Sequence, residues 1–382
     1  MKKIKLTKDA VFFCTTPYQV MTASYIAVSH KYKADIYLID QMRQVDDIVL
    51  GLRENSIFEK VEVIREKELL GNHTNKCFIY LELIKIYFLL NKTVERIIDP
   101  QVEYKRFYIS SKAFIGRIVS MYYVKNKYNT EIVYYDDGLG SYYDRNILYP
   151  SLQDLIMRCF VLGRKTSKLE VKTLLLYEPE LFKKINTNFV DNININSIGK
   201  WDKNIEFIKI MNRVFGFNEE DKINEPIIIF DGIFEEEDRK RVNSFYMKLA
   251  DRFGRSNIII KPHPRDKSEK IKELNYYKRS ELPFELICTN TDMKRKLLIT
   301  VLSTAVVTPI MLLDCEPYVL TLNEVEDFLN VPFIMDYKDF RNLYTDKKRF
   351  CIADTLEKGI AFIDKFIESG GNENVQQTIR NC

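Results

Sequence analysis

The feature that most constrains the fold is an alternation of short β-rich runs with helically spaced segments. It occurs twice along the 382 residues. In the first half the runs are residues 11–14, 35–39, 61–64, 106–109 and 132–135, with helical spacing over 17–30 and 77–90. Pro17 suits a first helical turn, where no backbone donor is missed. A polar, Asn-rich stretch (186–197), a helical segment to about residue 215 and a charged connector (216–225) follow. The pattern then restarts with runs at 227–230, 257–261, 297–302 and 318–322. Val242, Phe245, Tyr246, Leu249 and Phe253 share one helical face, and a further helix is expected over 304–313. The last helix is expected to start at Asp354, with Glu357 as an acidic capping partner. Leu356, Ile360, Ile363, Phe366 and Ile367 fall on its apolar side, and it stops near residues 369–371. Such alternation builds βαβ units on a mostly parallel sheet. The expected architecture is α/β, two Rossmann-like doubly wound domains facing a cleft, with domains at 1–220 and 221–382.

Composition narrows the function. The 58 Lys and Arg nearly balance the 54 Asp and Glu, so a dedicated nucleic-acid binder is not expected. The seven cysteines are odd in number and form no Cys-x-x-Cys pair, and the apolar run near the amino terminus is too short for a secretory signal. Reduced thiols and a cytoplasmic location are therefore expected. The most apolar stretch, residues 78–90, carries Glu82 and Lys85 and is shorter than a membrane span. Three histidines argue against a multi-histidine metal site. There is no Gly-x-Gly-x-x-Gly, Walker loop, Gly-x-Ser-x-Gly elbow or Asp-x-Asp.

Ligands of open α/β sheets sit at the carboxyl ends of strands, so the residues that leave each run carry the chemistry. Asp136, Asp137 and Gly138 leave the run at 132–135. Paired carboxylates there repel, which raises one pKa and creates a general base; a plain Asp-Gly turn is the simpler alternative. His263 lies between Pro262 and Pro264 in Lys261-Pro-His-Pro-Arg265. Two prolines restrict its backbone, and an imidazole between Lys261 and Arg265 suits an anionic ligand as donor or general acid. Ser303 and Thr304 stand where a run meets a helix, a place for either an ordinary cap or a phosphate. Thr16 and Gln19 leave the first run and can line the cleft. Glu285 is a softer candidate, since a carboxylate can accept both hydroxyls of a ribose.

Taken together, Asp-Asp-Gly, His-Pro and Ser-Thr in this order resemble the bacterial capsule and lipooligosaccharide sialyltransferases, glycosyltransferase family 52, a group that shares these motifs with the bacterial polysialyltransferases. Thr16-Pro-Tyr-Gln19 and Pro283-Phe-Glu285 are similar to that group too, and the likeness spans roughly residues 11–322. The resemblance implies a GT-B fold with an acceptor-side domain first and a nucleotide-sugar-binding domain second. It implies inverting, metal-independent transfer of sialic acid from CMP-sialic acid, with no cofactor. Asp136 or Asp137 would be the base, and His263 would bind the phosphate and assist its departure. Ser303 and Thr304 would hold the phosphate, with Lys261 and Pro264 beside it, and Glu285 would contact the ribose. The group also offers a base early in the second domain, for which Asp231, Glu235 and Glu236 are the candidates here. The implied partners are a nucleotide-sugar donor and a glycan acceptor that can be lipid-linked. A homodimer and peripheral contact with the inner face of the cell membrane, through the Tyr- and Lys-rich residues 122–128, are compatible with the sequence. The alternatives are another donor, such as a UDP-hexose, or a non-catalytic nucleotide- or glycan-binding subunit of a capsule assembly complex.

Overall fold

The computed structural model describes residues 6–66, 68, 85–110, 114–126, 129–143, 158–159, 161–163, 171, 173–187, 193–202, 204–325, 328 and 336–369. The helical pattern over 77–84, residues 127–128, the Asn-rich residues 188–192 and the glycine stop at 370–371 lie outside them. The chain forms two compact units, one of residues 1–199 and 209–216, the other of 200–208 and 217–382.

The first unit carries a seven-stranded parallel sheet. Its strands are β1 (Leu6–Cys14), β2 (Ala34–Ile39), β3 (Lys60–Ile64), β4 (Val102–Ile109), β5 (Glu131–Tyr135), β6 (Thr173–Leu176) and β7 (Asn194–Ser197). Their order is β3-β2-β1-β4-β5-β6-β7, so the sequence direction reverses between β1 and β4. The carboxyl ends of those two strands therefore flank a topological switch point. Residues 10–14 of β1 are wholly buried, as a central strand covered on both faces requires. Phe12 stacks on Tyr108 with ring centres 4.4 Å apart, and Phe13 lies between Tyr37 at 5.2 Å and Phe107 at 5.0 Å. The polar, Asn-rich stretch ends in a strand. Asn194–Ser197 pairs in parallel with β6 as an edge strand, where one polar face meets solvent and apolar patterning is lost.

The second unit carries five parallel strands, β8 (Ile227–Phe230), β9 (Ile258–Lys261), β10 (Leu297–Thr300), β11 (Tyr318–Thr321) and β12 (Phe350–Ile352), in the order β12-β11-β10-β8-β9. The direction reverses between β8 and β10. The helix Glu236–Phe253 buries Val242, Phe245, Tyr246, Leu249, Ala250 and Phe253, one stripe at spacings of three and one. Its first turn is acidic, which suits the positive end of the helix dipole. Truncating Leu249 to alanine would cost about 2–5 kcal/mol.

Two helix expectations are revised. Residues 304–313 form a 3-10 turn, Thr304–Val307, before the helix Thr308–Leu313, because Pro309 belongs to a new first turn. The last helix is Leu356–Glu368, and its cap is Thr355, whose hydroxyl accepts from the Lys358 amide; Asp354 instead pairs with the Lys358 ammonium at 2.9 Å. Among the described residues, no helix is long and apolar enough to cross a membrane.

Candidate active site

In the first unit the site is built where β1, β4 and β5 end. Thr16 caps the helix Pro17–His30 by accepting from the Gln19 amide at 3.2 Å, so its role is to fix that helix start. The cap turns the Gln19 side chain inward, where it is fully buried. Its carbonyl oxygen accepts from the Thr15 amide at 2.6 Å and the Thr15 hydroxyl at 3.1 Å. That fixes the amide nitrogen, which donates to Ser110 Oγ at 2.8 Å and to Asp137 Oδ1 at 2.5 Å.

The two adjacent acids have different environments. Asp136 has no exposed surface, and four donors converge on it. Its Oδ1 accepts from the Gly138 amide at 2.7 Å and the Tyr18 hydroxyl at 3.2 Å, while Oδ2 accepts from the Tyr142 hydroxyl at 2.8 Å and the Tyr177 amide at 3.3 Å. Burial pushes its carboxyl up to about 6, against the opposing effect of these donors. Asp137 is only half-buried; its backbone amide is held by Ser141 Oγ at 2.7 Å. Gly138 has φ +85°, so the turn after the two acids needs glycine. A carboxylate that is fixed in direction and still open to solvent can accept a proton from a bound hydroxyl; one whose lone pairs are all engaged cannot without breaking its network. Nearby Cys14 is buried with its thiol pushed up to about 12, which keeps it protonated at neutral pH.

In the second unit the candidates leave β8, β9 and β10, which are neighbours in the sheet. His263 is half-buried, and its Nδ1 accepts from the Arg265 amide at 3.2 Å. In the neutral imidazole that bond puts the proton on Nε2. Pro264 is exposed beside it. Lys261 does not stand beside the imidazole as an open cation. Its ammonium is buried, donates to the Leu282 carbonyl at 3.0 Å and the Ser280 carbonyl at 3.4 Å, and lies 5.1 Å from the Tyr277 ring centre. Burial pushes its pKa down to about 8, against the pull of Glu285. It ties β9 to the segment that leads into the helix Phe284–Asn290. Glu285, on the first turn of that helix, is partly exposed, and desolvation holds its carboxyl above the ordinary range. The Ser303 amide donates to Thr300 Oγ1 at 2.6 Å, and the Ser303 hydroxyl accepts from the Ala305 amide at 3.3 Å. Thr304 opens the 3-10 turn beside it and is half-buried.

The early carboxylates of the second unit differ from one another. Asp231 is buried and doubly bonded to Arg239 Nη1, at 2.8 Å from each oxygen, with further donors in the Gly232 amide at 3.0 Å and the Tyr246 hydroxyl at 3.3 Å. Burial lifts its carboxyl even against the guanidinium. Glu235 and Glu236 are exposed, and Glu236 pairs with Lys240 at 2.9 Å. Sequence patterns had not marked Ser110, Ser141, Tyr142 or Arg239. Ser110 follows β4 directly and satisfied the same post-strand criterion as the acids; Arg239 carries no such signal.

Two parallel-sheet α/β domains of this kind are the GT-B glycosyltransferase fold. The same fold is found in the solved glycotransferase of kitacinnamycin, with a TM-score of 0.50 and 9% identity over 97% of this chain and 94% of that one. It is also found in LpCGTa, solved in complex with UDP, with a TM-score of 0.50 and 8% identity over 99% of this chain and 94% of that one. A family model described as alpha-2,8-polysialyltransferase matches residues 10–321. The chain belongs to that family, the second of the two groups whose motifs it resembles. No curated protein matches it.

Proposed function

We propose that this chain is an inverting sialyltransferase that moves sialic acid from CMP-sialic acid to a hydroxyl of a glycan that already ends in sialic acid. The observation that carries the reading is the Asp137 carboxylate, aimed by a buried glutamine at the end of a central strand and left half-exposed. Asp137 takes the proton of the acceptor hydroxyl as that oxygen bonds to the anomeric carbon of the donor. The bond from that carbon to the CMP phosphate breaks, and its electron pair leaves on the phosphate oxygen. His263 keeps its proton and donates a hydrogen bond from Nε2 to that oxygen, which stabilises the charge that grows there. Ser303, whose oxygen already accepts from the Ala305 amide, has its own hydroxyl proton to offer the phosphate, and Thr304 adds a second hydroxyl. Glu285 reads the ribose. Asp136 shapes the turn and does not exchange the proton.

This scheme asks for no divalent ion, because the growing charge on the leaving phosphate meets an imidazole and two hydroxyls. The biological setting that fits is capsule or lipooligosaccharide synthesis on the cytoplasmic face of the membrane, on a lipid-linked acceptor, as in the family 52 enzymes the sequence resembles. The test is thermal unfolding with CMP, UMP, UDP and GDP, each with EDTA. A ligand at about 100 times its dissociation constant stabilises by roughly 2.7 kcal/mol, a shift of a few degrees. A shift with CMP that survives EDTA supports the reading. A shift with UDP alone moves the donor to a hexose nucleotide and overturns it.

A further inference from the structure

Arg239 joins two segments of the second unit that the sequence keeps apart. On one side Nη1 holds both oxygens of Asp231 and Nη2 donates to the Gly232 carbonyl at 2.7 Å, all at the end of β8. On the other side the same Nη2 reaches Asp266 Oδ2 at 3.2 Å. Asp266 closes the His-Pro turn, because its amide donates to the His263 carbonyl at 2.9 Å. Its carboxylate also accepts from the Ser268 amide at 3.1 Å and the Ser268 hydroxyl at 2.7 Å. The Arg239 side chain is only 12% exposed, and its guanidinium lies over the Phe234 ring, 4.9 Å from its centre. The Asp231 amide adds a backbone bond to the Lys261 carbonyl at 3.0 Å. The turn that carries His263 is thus pinned to the neighbouring strand end through one planar fork.

We infer that Arg239 is the positioning residue for His263, acting through Asp266, and that Asp231 serves to hold Arg239. The inference rests on the role proposed for His263. The fork makes bonds in three directions at once, which a lysine ammonium on a flexible stem cannot reproduce. Without it the turn keeps its prolines, its internal bonds and the backbone bond at Lys261 but loses its side-chain attachment to the end of β8. The imidazole then moves relative to the end of the sheet, and a displacement of about 1 Å can cost a hundredfold in rate.

The test uses the full chain with Asp266→Asn and, separately, Arg239→Lys. With only three histidines, an imidazole nitrogen spectrum resolves His263, assigned by its loss in His263→Ala. His30, whose Nδ1 lies 3.0 Å from the Ile26 carbonyl on a helix of the other unit, is the internal control. The expected result is that both variants unfold cooperatively, shift the His263 nitrogen resonances as the ring moves relative to the sheet end while the Nε2-protonated pattern set by the Arg265 amide is kept, and leave His30 unmoved. Transfer then falls on the order of a hundredfold, in kcat more than in KM for the donor. Unchanged His263 nitrogens in either folded variant would overturn the inference. The spectrum is recorded without donor, so a wild-type chain that transfers nothing fails the functional reading while the positioning result is still decided.

Discussion

The Gln19 amide nitrogen lies 2.5 Å from Asp137 Oδ1, although 118 residues separate them. A helix that starts after β1 thereby sets the direction of a carboxylate that leaves β5. The glutamine cannot rotate, because its carbonyl oxygen is held by the Thr15 amide at 2.6 Å.

Gln19→Leu keeps the volume and removes both functions. We expect transfer to fall on the order of a hundredfold through loss of Asp137 alignment. Stability should fall by about 1–3 kcal/mol, because the Thr15 amide loses its buried acceptor. Steady-state kinetics and urea unfolding measure the two effects separately. A variant as active as wild type would mean that Asp137 needs no help from Gln19.

The two acids should separate cleanly. Asp137→Asn should abolish transfer while leaving the unfolding midpoint near that of wild type. Asp136→Ala strands four donors at a site with no exposed surface, so the protein should lose at least about 3 kcal/mol. Urea unfolding and a transfer assay on both variants check this. If Asp136→Ala is stable and Asp137→Asn active, the assignment of the two roles is reversed.

Asp136 also makes a pH prediction. Its carboxyl is raised from 3.8 to about 6 in the folded protein, so between these values the folded state binds more protons than the unfolded one. Its contribution therefore favours folding at low pH and is lost as pH rises through about 6, a swing of roughly 3 kcal/mol. The difference between wild-type and Asp136→Asn unfolding free energies, measured at pH 4 and pH 7, should change in that direction. A difference that does not vary with pH would mean the carboxyl is not lifted.

A fourth prediction concerns packing. A Cβ on Gly51 would lie 2.7 Å from the Val214 carbonyl oxygen and 2.8 Å from its Cα. Both obstacles are backbone, so Gly51→Ala must push apart the helices Val45–Glu54 and Ile205–Val214. We expect a loss of about 1–3 kcal/mol or more in thermal unfolding, with no change at the active site of the folded protein. Neutral behaviour would show that the two helices adjust without cost.

Much of this was legible in the sequence, for a physical reason. Central parallel strands are covered on both faces, so Ile227–Phe230 and the runs in β1, β2 and β10 appear as unbroken apolar stretches. The edge strands Asn194–Ser197 and Phe350–Ile352 bury less and had no counterpart in the pattern; the inner strand Thr173–Leu176 had none either, although three of its four residues are buried. The post-strand criterion selected Asp136, Asp137, His263 and Ser303 as candidates because topology alone puts them at carboxyl ends. It could not tell the two acids apart, since their difference lies in Tyr18, Tyr142 and Tyr177, whose contacts with Asp136 are tertiary. Nor could it show Lys261 turned inward on the carbonyls of Ser280 and Leu282.

The most direct test of the account is a transfer reaction with the purified chain, CMP-sialic acid, a short sialylated oligosaccharide and EDTA, followed by mass spectrometry. The account predicts one sialic acid added for each CMP released, with both products lost in Asp137→Asn and in His263→Ala while each variant remains folded. Absence of transfer by a wild-type chain that binds CMP, or elongation by Asp137→Asn at the wild-type rate, would contradict it.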